Sequence, residues 1–286
     1  MDFGLSEEQE LLQSTVRGFV ENECPAGRLR ELFDAGTGHD DALWSGLVEM
    51  GLAGLAIPEE YGGAGMEILD LALVCEVLGT GGVPSPFLGH VLASLALDMG
   101  GSPAQKSRWL PGLADGSRRA TWAVCEAGSG WEPETWRCRL AGDSISGTKL
   151  YVPHADGADL LVVGVEGGRL AVVDTAGAGV RIENLEGIDR SRPVFRVDFE
   201  EAPCELLADD PAVAHRLRDA GLVLLAADAF GAASHLIDLA VEYAKTREQF
   251  GQKIAQFQAV KHQLARLALD IEPTRALFWH AAYAVD

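Results

Sequence analysis

The sequence predicts an α+β protein in which two helical regions flank a central β domain. Residues 1–118 carry apolar side chains at helical spacing, and residues 119–206 contain short alternating runs rich in β-branched residues. Residues 211–286 return to long helical runs. With 286 residues, 48% of them hydrophobic, the chain can bury a large core in one or two compact units. We therefore expect an N-terminal helical domain, a β barrel or sandwich, and two long antiparallel helices of an incomplete bundle.

The N-terminal region is predicted to hold several helices separated by glycine and proline. Ser6 and Gln9 have the spacing of a capping box, which begins the first helix, and Pro25 interrupts that helix. The next predicted helices begin near Asp41 or cover the runs 68–78 and 88–99. Trp109, in the last helical run of this region, is expected to lie in the core.

The central region is predicted to consist of short strands joined by glycine and aspartate turns. Its apolar residues alternate with polar ones or belong to β-branched types, as in strands that pack on a core. The runs with this pattern are 121–124, 136–140, 144–146, 160–165, 170–173 and 194–199. This number of strands is enough for a barrel or a sandwich.

The C-terminal region is predicted to be a hairpin of two long helices joined near Gly251. The first run, 217–243, is apolar on every face in its middle, which a single neighbouring helix cannot cover. The residues expected to remain exposed on one side are Leu222, Leu225, Ala229 and Phe230. Because patches of this size mark interfaces, we expect a bundle of four or more helices that another subunit completes at least in part.

Composition excludes several classes of function. The formal net charge of −20 argues against a nucleic-acid partner, since phosphate binding requires a basic surface. The five cysteines form no CxxC pair, so neither a disulfide scaffold nor a zinc site is supported, and no metal is expected. The chain opens on no signal peptide and has no uninterrupted apolar span of membrane length. These features predict a cytoplasmic protein with no membrane partner.

Four stretches of the chain resemble motifs of the acyl-CoA dehydrogenase family. They are Gly51–Gly65, Gln105–Gly116, Trp122–Trp131 and Arg247–Lys261. The resemblance covers essentially the whole chain, and the order helical, β, helical is the family's three-part plan. It implies FAD as cofactor, an acyl-CoA thioester as substrate, and a homologous acyl-CoA dehydrogenase subunit as partner in a homo- or hetero-oligomer.

The resemblance assigns roles to three residues around the C-terminal turn. In the family, the matching arginine, phenylalanine and glutamine reach across a subunit interface. They hold the pyrophosphate and adenosine part of a flavin that is bound mainly by the neighbouring subunit. This role carries over to Arg247, Phe250 and Gln258, and a guanidinium is well suited to a pyrophosphate.

The chain departs from the family pattern where its own flavin ring would lie. Cys125 replaces a hydroxyl residue, and a thiol is a weak hydrogen-bond donor. After Gly130, Trp131 stands where the family has a small serine, so an indole would fill space that flavin or substrate needs. Tyr151 can still cover a ring, but Pro153 offers neither a hydroxyl nor an amide proton. We therefore expect Cys125, Trp131 and Pro153 to line a narrowed pocket.

No catalytic residue can be assigned. The family reaction removes an α proton with a carboxylate while the β hydride passes to the flavin. In one branch of the family the glutamate lies on the helix before the C-terminal turn. Gly221 occupies that position here, next to Leu222 where an arginine is common. In the other branch the glutamate would fall beyond Asp286. We interpret Asp228 and His235, on the same helix, as core-adjacent or solvated residues.

Three hypotheses follow from this pattern. The first is a subunit of a heteromeric acyl-CoA dehydrogenase, of the type found in bacterial degradation of sterol side chains, that is active with a competent partner. The second is an ordinary homo-oligomeric dehydrogenase that tolerates the substitutions. The third is a non-enzymatic scaffold or binding protein on the same fold, since a fold alone does not define a function. Acyl chain length, and the choice between steroid and fatty acyl groups, stay open.

Overall fold

The computed structural model describes residues 4–36, 38, 40–128 and 130–285, and it confirms the α+β fold class. The helices that precede the strands are α1 (Glu7–Glu23), α2 (Ala26–Ala35), α3 (Asp41–Glu49), α4 (Ile68–Gly81), α5 (Phe87–Gly100) and α6 (Pro103–Ala114). The helices that follow the strands are α7 (Pro211–Thr246) and α8 (Gln258–Val285). The division into domains at about residues 118 and 206 stays a prediction; these positions fall between elements.

The start of the chain folds as its capping signal predicts, but the second helix was missed. The backbone amide of Gln9 donates to the Ser6 hydroxyl at 3.2 Å. The Gln9 side-chain oxygen in turn accepts a hydrogen bond from the Ser6 amide at 3.1 Å. Pro25 ends one helix and caps the next, α2. Of the residues in α2 only Leu32 is buried, so its sequence carries little apolar periodicity.

The β domain is a sandwich of two four-stranded sheets. The first sheet has the order β1 (Ala120–Ala123), β4 (Leu160–Val165), β5 (Arg169–Asp174), β8 (Glu205–Leu206). The second has the order β2 (Arg139–Ala141), β3 (Ser144–Pro153), β7 (Val194–Pro203), β6 (Val180–Leu185). The pair β1–β4 is parallel and the other ladders are antiparallel.

Several strands differ from the prediction in extent, and others were not predicted. The run predicted to begin at Trp136 becomes a strand only at Arg139, because residues 133–135 form a 3₁₀ turn. The strand predicted over 144–146 continues to Pro153 through polar residues that interrupt its pattern. The strand β6 was not predicted: it lies at a sheet edge, where its side chains are exposed or half-buried and no alternation is required.

The first sheet is buried on both faces, and this places it between the helices and the second sheet. In β4, Leu160 and Val162 pack into the main core with the helices. Leu161 and Val163 point the other way, into a second core between the sheets. Trp122 of β1 belongs to the helical side, so its indole reaches toward α7.

Helices α4 and α7 cross at backbone contact, because glycines stand at the crossing. A Cβ atom on Gly231 would lie 1.9 Å from the carbonyl oxygen of Glu76. A Cβ atom on Gly79 would lie 2.1 Å from the carbonyl oxygen of Asp228. No side chain fits at either point, so this crossing fixes α7 against the N-terminal helices.

The two long helices leave a wide apolar surface uncovered. The large apolar side chains exposed along them are Leu222, Leu225, Leu236, Leu239, Tyr243, Leu267, Leu269, Leu277 and Tyr283. The expectation that Phe230 joins this surface was wrong: it is buried against Phe278, with ring centroids 5.5 Å apart. By length and composition alone α7 could cross a membrane, but core helices pass the same test, and α7 packs on α4, α5 and α8.

Candidate functional site

The turn between α7 and α8 is a short β-hairpin that projects an aromatic ring. Strands β9 (Glu248–Gln249) and β10 (Gln252–Lys253) are joined by Phe250 and Gly251, with φ of +53° and +74°. Positive φ at both central residues is the type I′ geometry that suits a tight hairpin. A bulky residue rarely adopts this conformation, yet Phe250 does, and its side chain is 93% exposed. Such local strain, with a ring held in solvent, indicates a binding contact.

Arg247 is held by its backbone and leaves its guanidinium in solvent. Its amide donates to the Tyr243 carbonyl at 2.8 Å, and its own carbonyl accepts from the Ile254 amide at 2.9 Å. Within the described residues its side chain has no hydrogen bond or ion pair, and it is exposed. Gln258, the first residue of α8, is exposed as well. The three residues predicted to serve a neighbour are therefore all presented at one end of the helical hairpin.

Two indoles, supplied by the end of β1 and the following loop, meet where the chain's own flavin pocket is predicted. Trp131 is half-buried and meets the buried Trp122 edge-on, with ring centroids 5.2 Å apart and an interplanar angle of 68°. Gly130 precedes it in the exposed part of the loop. That Trp131 fills space needed by flavin or substrate stays a prediction; the structure places its ring against Trp122. Trp122 was not singled out in the sequence, because the family also has an aromatic residue there.

Gly221 faces this indole pair from α7. A Cβ atom at position 221 would lie 2.8 Å from Cη2 of Trp122 and 3.5 Å from Leu92. A glutamate side chain therefore has no room at the position where one branch of the family carries its base. Gly221 and Trp122 are complementary in volume, because the missing side chain at Gly221 leaves the space that the Trp122 indole fills.

The remaining residues of the predicted pocket are spread over the wall of the β domain. Cys125 is half-buried, and burial raises the pKa of its thiol, which stays neutral. Tyr151 has φ +56° and is 65% exposed. The Pro153 carbonyl accepts a bond of 2.8 Å from the Thr121 hydroxyl.

Pro153 lines a separate small cavity. Its volume is about 140 Å³, and Leu225, Arg192 and Asp228 line it too, but Cys125 and Trp131 do not. That Cys125, Trp131 and Pro153 line one narrowed pocket therefore stays a prediction. Pro153 is the last residue of β3.

Asp228 and His235 have the structural roles expected of them. The Asp228 carboxylate makes a bidentate ion pair with Arg192, at 2.6 and 2.9 Å, that joins α7 to the segment before β7. Both carboxylate oxygens are engaged by the guanidinium, so this side chain links two elements of the fold. His235 is exposed on α7.

Fold and motifs together define a flavin-dependent acyl-CoA dehydrogenase architecture, and comparison with known proteins agrees. The model of the acyl-CoA dehydrogenase N-terminal domain matches residues 6–117, and that of the C-terminal domain matches residues 211–286. The chain belongs to the acyl-CoA dehydrogenase family. FAD is the cofactor that the family uses.

The most informative relatives are bacterial. The chain is 36% identical over 279 residues to the acyl-CoA dehydrogenase IpdE2 of Mycobacterium tuberculosis, covering 97% of this chain and 76% of that protein. Among solved structures, the G363A variant of the Tcur3481–Tcur3483 steroid acyl-CoA dehydrogenase superposes with a TM-score of 0.88 and 33% identity, covering 97% of this chain and 78% of the other. The ChsE4–ChsE5 complex of Mycobacterium tuberculosis gives 0.91 and 28%, covering 100% and 79%.

The residues of this chain fit FAD in one of the two ways that the family uses it. The exposed Arg247, Phe250 and Gln258 offer a cation, a ring and an amide to a flavin held by a neighbour. The chain's own pocket does not fit a flavin ring, because Trp131 and Trp122 fill the space beside β1. No step of a reaction is therefore routed through that pocket.

Proposed function

We propose that this chain is a cofactor-completing subunit of a heteromeric acyl-CoA dehydrogenase. The single observation that carries the proposal is a contrast. The chain's own pocket is filled by the Trp122–Trp131 pair, while the Arg247 guanidinium and the Phe250 ring stand in solvent. A chain with these two properties is useful beside a partner whose own pocket is open.

In this complex FAD held by the partner would supply the hydride acceptor, and this chain would supply binding contacts to it. Arg247 pairs with the pyrophosphate, for which a planar guanidinium is suited. Phe250 covers a heterocycle, and its strained backbone fixes where the ring stands, so little conformational entropy is lost on contact. Gln258 donates or accepts through its amide at the start of α8. We infer that the partner supplies the catalytic carboxylate, since Gly221 leaves no room for one at that position of α7.

The substrate class proposed is an acyl-CoA thioester with a steroid-derived acyl group, handled in the cytoplasm. Support comes from the likeness to the Tcur3481–Tcur3483 steroid acyl-CoA dehydrogenase and to the ChsE4–ChsE5 complex. The open apolar surface of α7 and α8 offers the area that a homologous subunit would cover.

The visible absorbance of purified protein tests the proposal. The chain is expressed alone and together with a homologous subunit encoded beside it, and flavin absorbance is measured in each preparation. We expect the chain alone to be colourless and the co-purified complex to be yellow. A yellow chain alone would indicate the homo-oligomeric enzyme, and two colourless preparations would indicate a scaffold or binding protein.

A further inference from the structure

The loop that fills the pocket is tied to α7 by charged side chains. We call residues 130–136 the strap; it runs from Gly130 through Trp131 and a 3₁₀ turn to Trp136. Glu132 forms an ion pair with Arg218, and Glu134 lies 2.8 Å from Nε2 of His215. Both α7 residues are close to the start of that helix, within two turns before Gly221.

The end of the strap is anchored independently on the β domain. The Glu126 carboxylate accepts the amides of Arg137 and Cys138 at 2.9–3.0 Å, and it meets Nζ of the fully buried Lys149 at 2.5 Å. Trp136 is buried, with its ring against Gly164 of β4. This end is therefore fixed whatever happens at α7, and only the part that carries Trp131 depends on the ion pairs.

We propose that Arg218 and His215 are positioning residues that hold Trp131 in the pocket through Glu132 and Glu134. The Arg218 side chain is 20% exposed and that of Glu132 59% exposed, so this ion pair is only partly shielded from solvent. Pairs of this kind are weak and sensitive to salt. The filled pocket is then a closed state that these charges maintain. The role of the strap in keeping flavin out rests on the proposed function, whereas the positioning itself does not.

Fluorine NMR of the protein labelled with 5-fluorotryptophan tests the proposal. The six tryptophans give six resonances, and the Trp131→Phe and Trp122→Phe variants assign the resonances of these two residues. In the Arg218→Met, His215→Gln double variant, we expect the Trp131 resonance to move toward the free amino acid value and to gain a larger solvent isotope shift. The Trp122 resonance moves with it because the two rings touch.

Two further variants separate positioning from a general effect on α7. The Glu132→Gln, Glu134→Gln variant removes the same contacts from the strap side, leaves the Arg218–Asp219 pair intact, and should give the same shifts. Arg266→Met, which removes an exposed pair with Asp270 on α8, is the control and should move neither resonance. Added salt should act on the wild type in the same direction as the double variants.

Two results would overturn the proposal. One is a Trp131 resonance that stays in place in both double variants. The other is a set of six resonances that all move, which would indicate loosening of the whole fold. Flavin absorbance is measured separately, so failure of the proposed function would not be mistaken for failure of the strap.

Discussion

At the scale of single residues, the proposed function depends most on Arg247, which is assigned the contact to the pyrophosphate of FAD. In the complex with a homologous subunit, Arg247→Ala should weaken FAD binding, because a charge-assisted bond to pyrophosphate contributes about 1.5–3 kcal/mol. That corresponds to about a 10- to 150-fold loss of affinity. The measurement is FAD release on dilution of the purified complex. Arg266→Ala, an equally exposed arginine on α8, is the matched control; equal FAD retention in the two variants would contradict the assigned role.

The complementarity of Gly221 and Trp122 makes a second prediction. Gly221→Ala places a methyl group 2.8 Å from the Trp122 ring, so we expect a loss of stability of about 1–3 kcal/mol. In a Trp122→Ala background the same change should stabilise α7 by about 0.5–1 kcal/mol, as alanine does in a helix.

The control for this cycle is Gly18→Ala, at a helical position with open space around it, which should stabilise the protein in either background. Urea unfolding of the four proteins measures the effect. An unchanged cost of Gly221→Ala after Trp122 is removed would show that the indole is not what crowds this position.

His90 makes stability depend on pH. It is fully buried, its Nε2 lies 3.1 Å from the Leu113 carbonyl and its Nδ1 accepts from the Ala120 amide. Burial lowers its pKa from 6.5 to about 4. In the unfolded chain the His90 imidazole is therefore protonated below pH 6.5, whereas in the folded protein it stays neutral down to about pH 4. The stabilisation is complete above pH 6.5 and falls by about 3 kcal/mol as the pH drops to 4.

The free energy of unfolding, measured in urea between pH 7 and pH 4, tests this. As the pH falls across that window, the free energy of unfolding of the wild type should decrease relative to that of His90→Gln. The free energy of unfolding of His235→Gln, a change at an exposed position, should follow that of the wild type throughout. Parallel curves for the wild type and His90→Gln would contradict the assignment.

Residue identities could be predicted from the sequence where a family motif carried them. Arg247, Phe250 and Gln258 belong to such a motif. Trp131 was found because an indole stood in place of a small residue. Trp122 was not found, since an aromatic residue in that position is ordinary and only its contact with Gly221 makes it significant. Pro153 also lines a small cavity with Arg192, Leu225 and Asp228 that the sequence did not indicate, because strand register over ten residues of β3 cannot be read from local pattern.

At the scale of elements, the α4–α7 crossing is the most demanding contact. Gly231→Ala would bring a methyl group to 1.9 Å from the Glu76 carbonyl, and a backbone atom cannot rotate away as a side chain can. We expect a loss of about 3 kcal/mol or more, in the range of the severe core changes. Thermal unfolding against Gly18→Ala measures it; a variant as stable as the wild type would mean that the two helices can separate without cost.

Long elements with strong periodicity were predictable, and short or edge elements were not. The strand β4 was predicted with its observed bounds because both of its faces are buried and its run is continuous. The helix α2 and the edge strand β6 expose most of their surface, so their sequences need no pattern. The hairpin of β9 and β10 was predicted only as a turn at Gly251. The sequence did not indicate the hairpin because phenylalanine rarely adopts the positive φ that Phe250 has.

At the scale of the whole molecule, a single chain leaves the apolar surface of α7 and α8 exposed to solvent. Its exposed leucines and tyrosines lie along both helices over a length of many turns. At about 25 cal/mol per Å² of apolar area, exposure of this surface is costly, so association is expected. The sequence indicated this surface from the all-round apolar character of α7, but which protein covers it is not encoded in one chain.

The central claim is that this chain completes a flavin site it does not itself hold. It is tested most directly by flavin stoichiometry in a complex of known mass. The chain is purified with its homologous partner, light scattering counts the subunits, and absorbance counts the flavins. The account predicts one FAD for each pair of unlike chains, and none on this chain purified alone. One FAD for every chain, or a yellow preparation of this chain by itself, would contradict it.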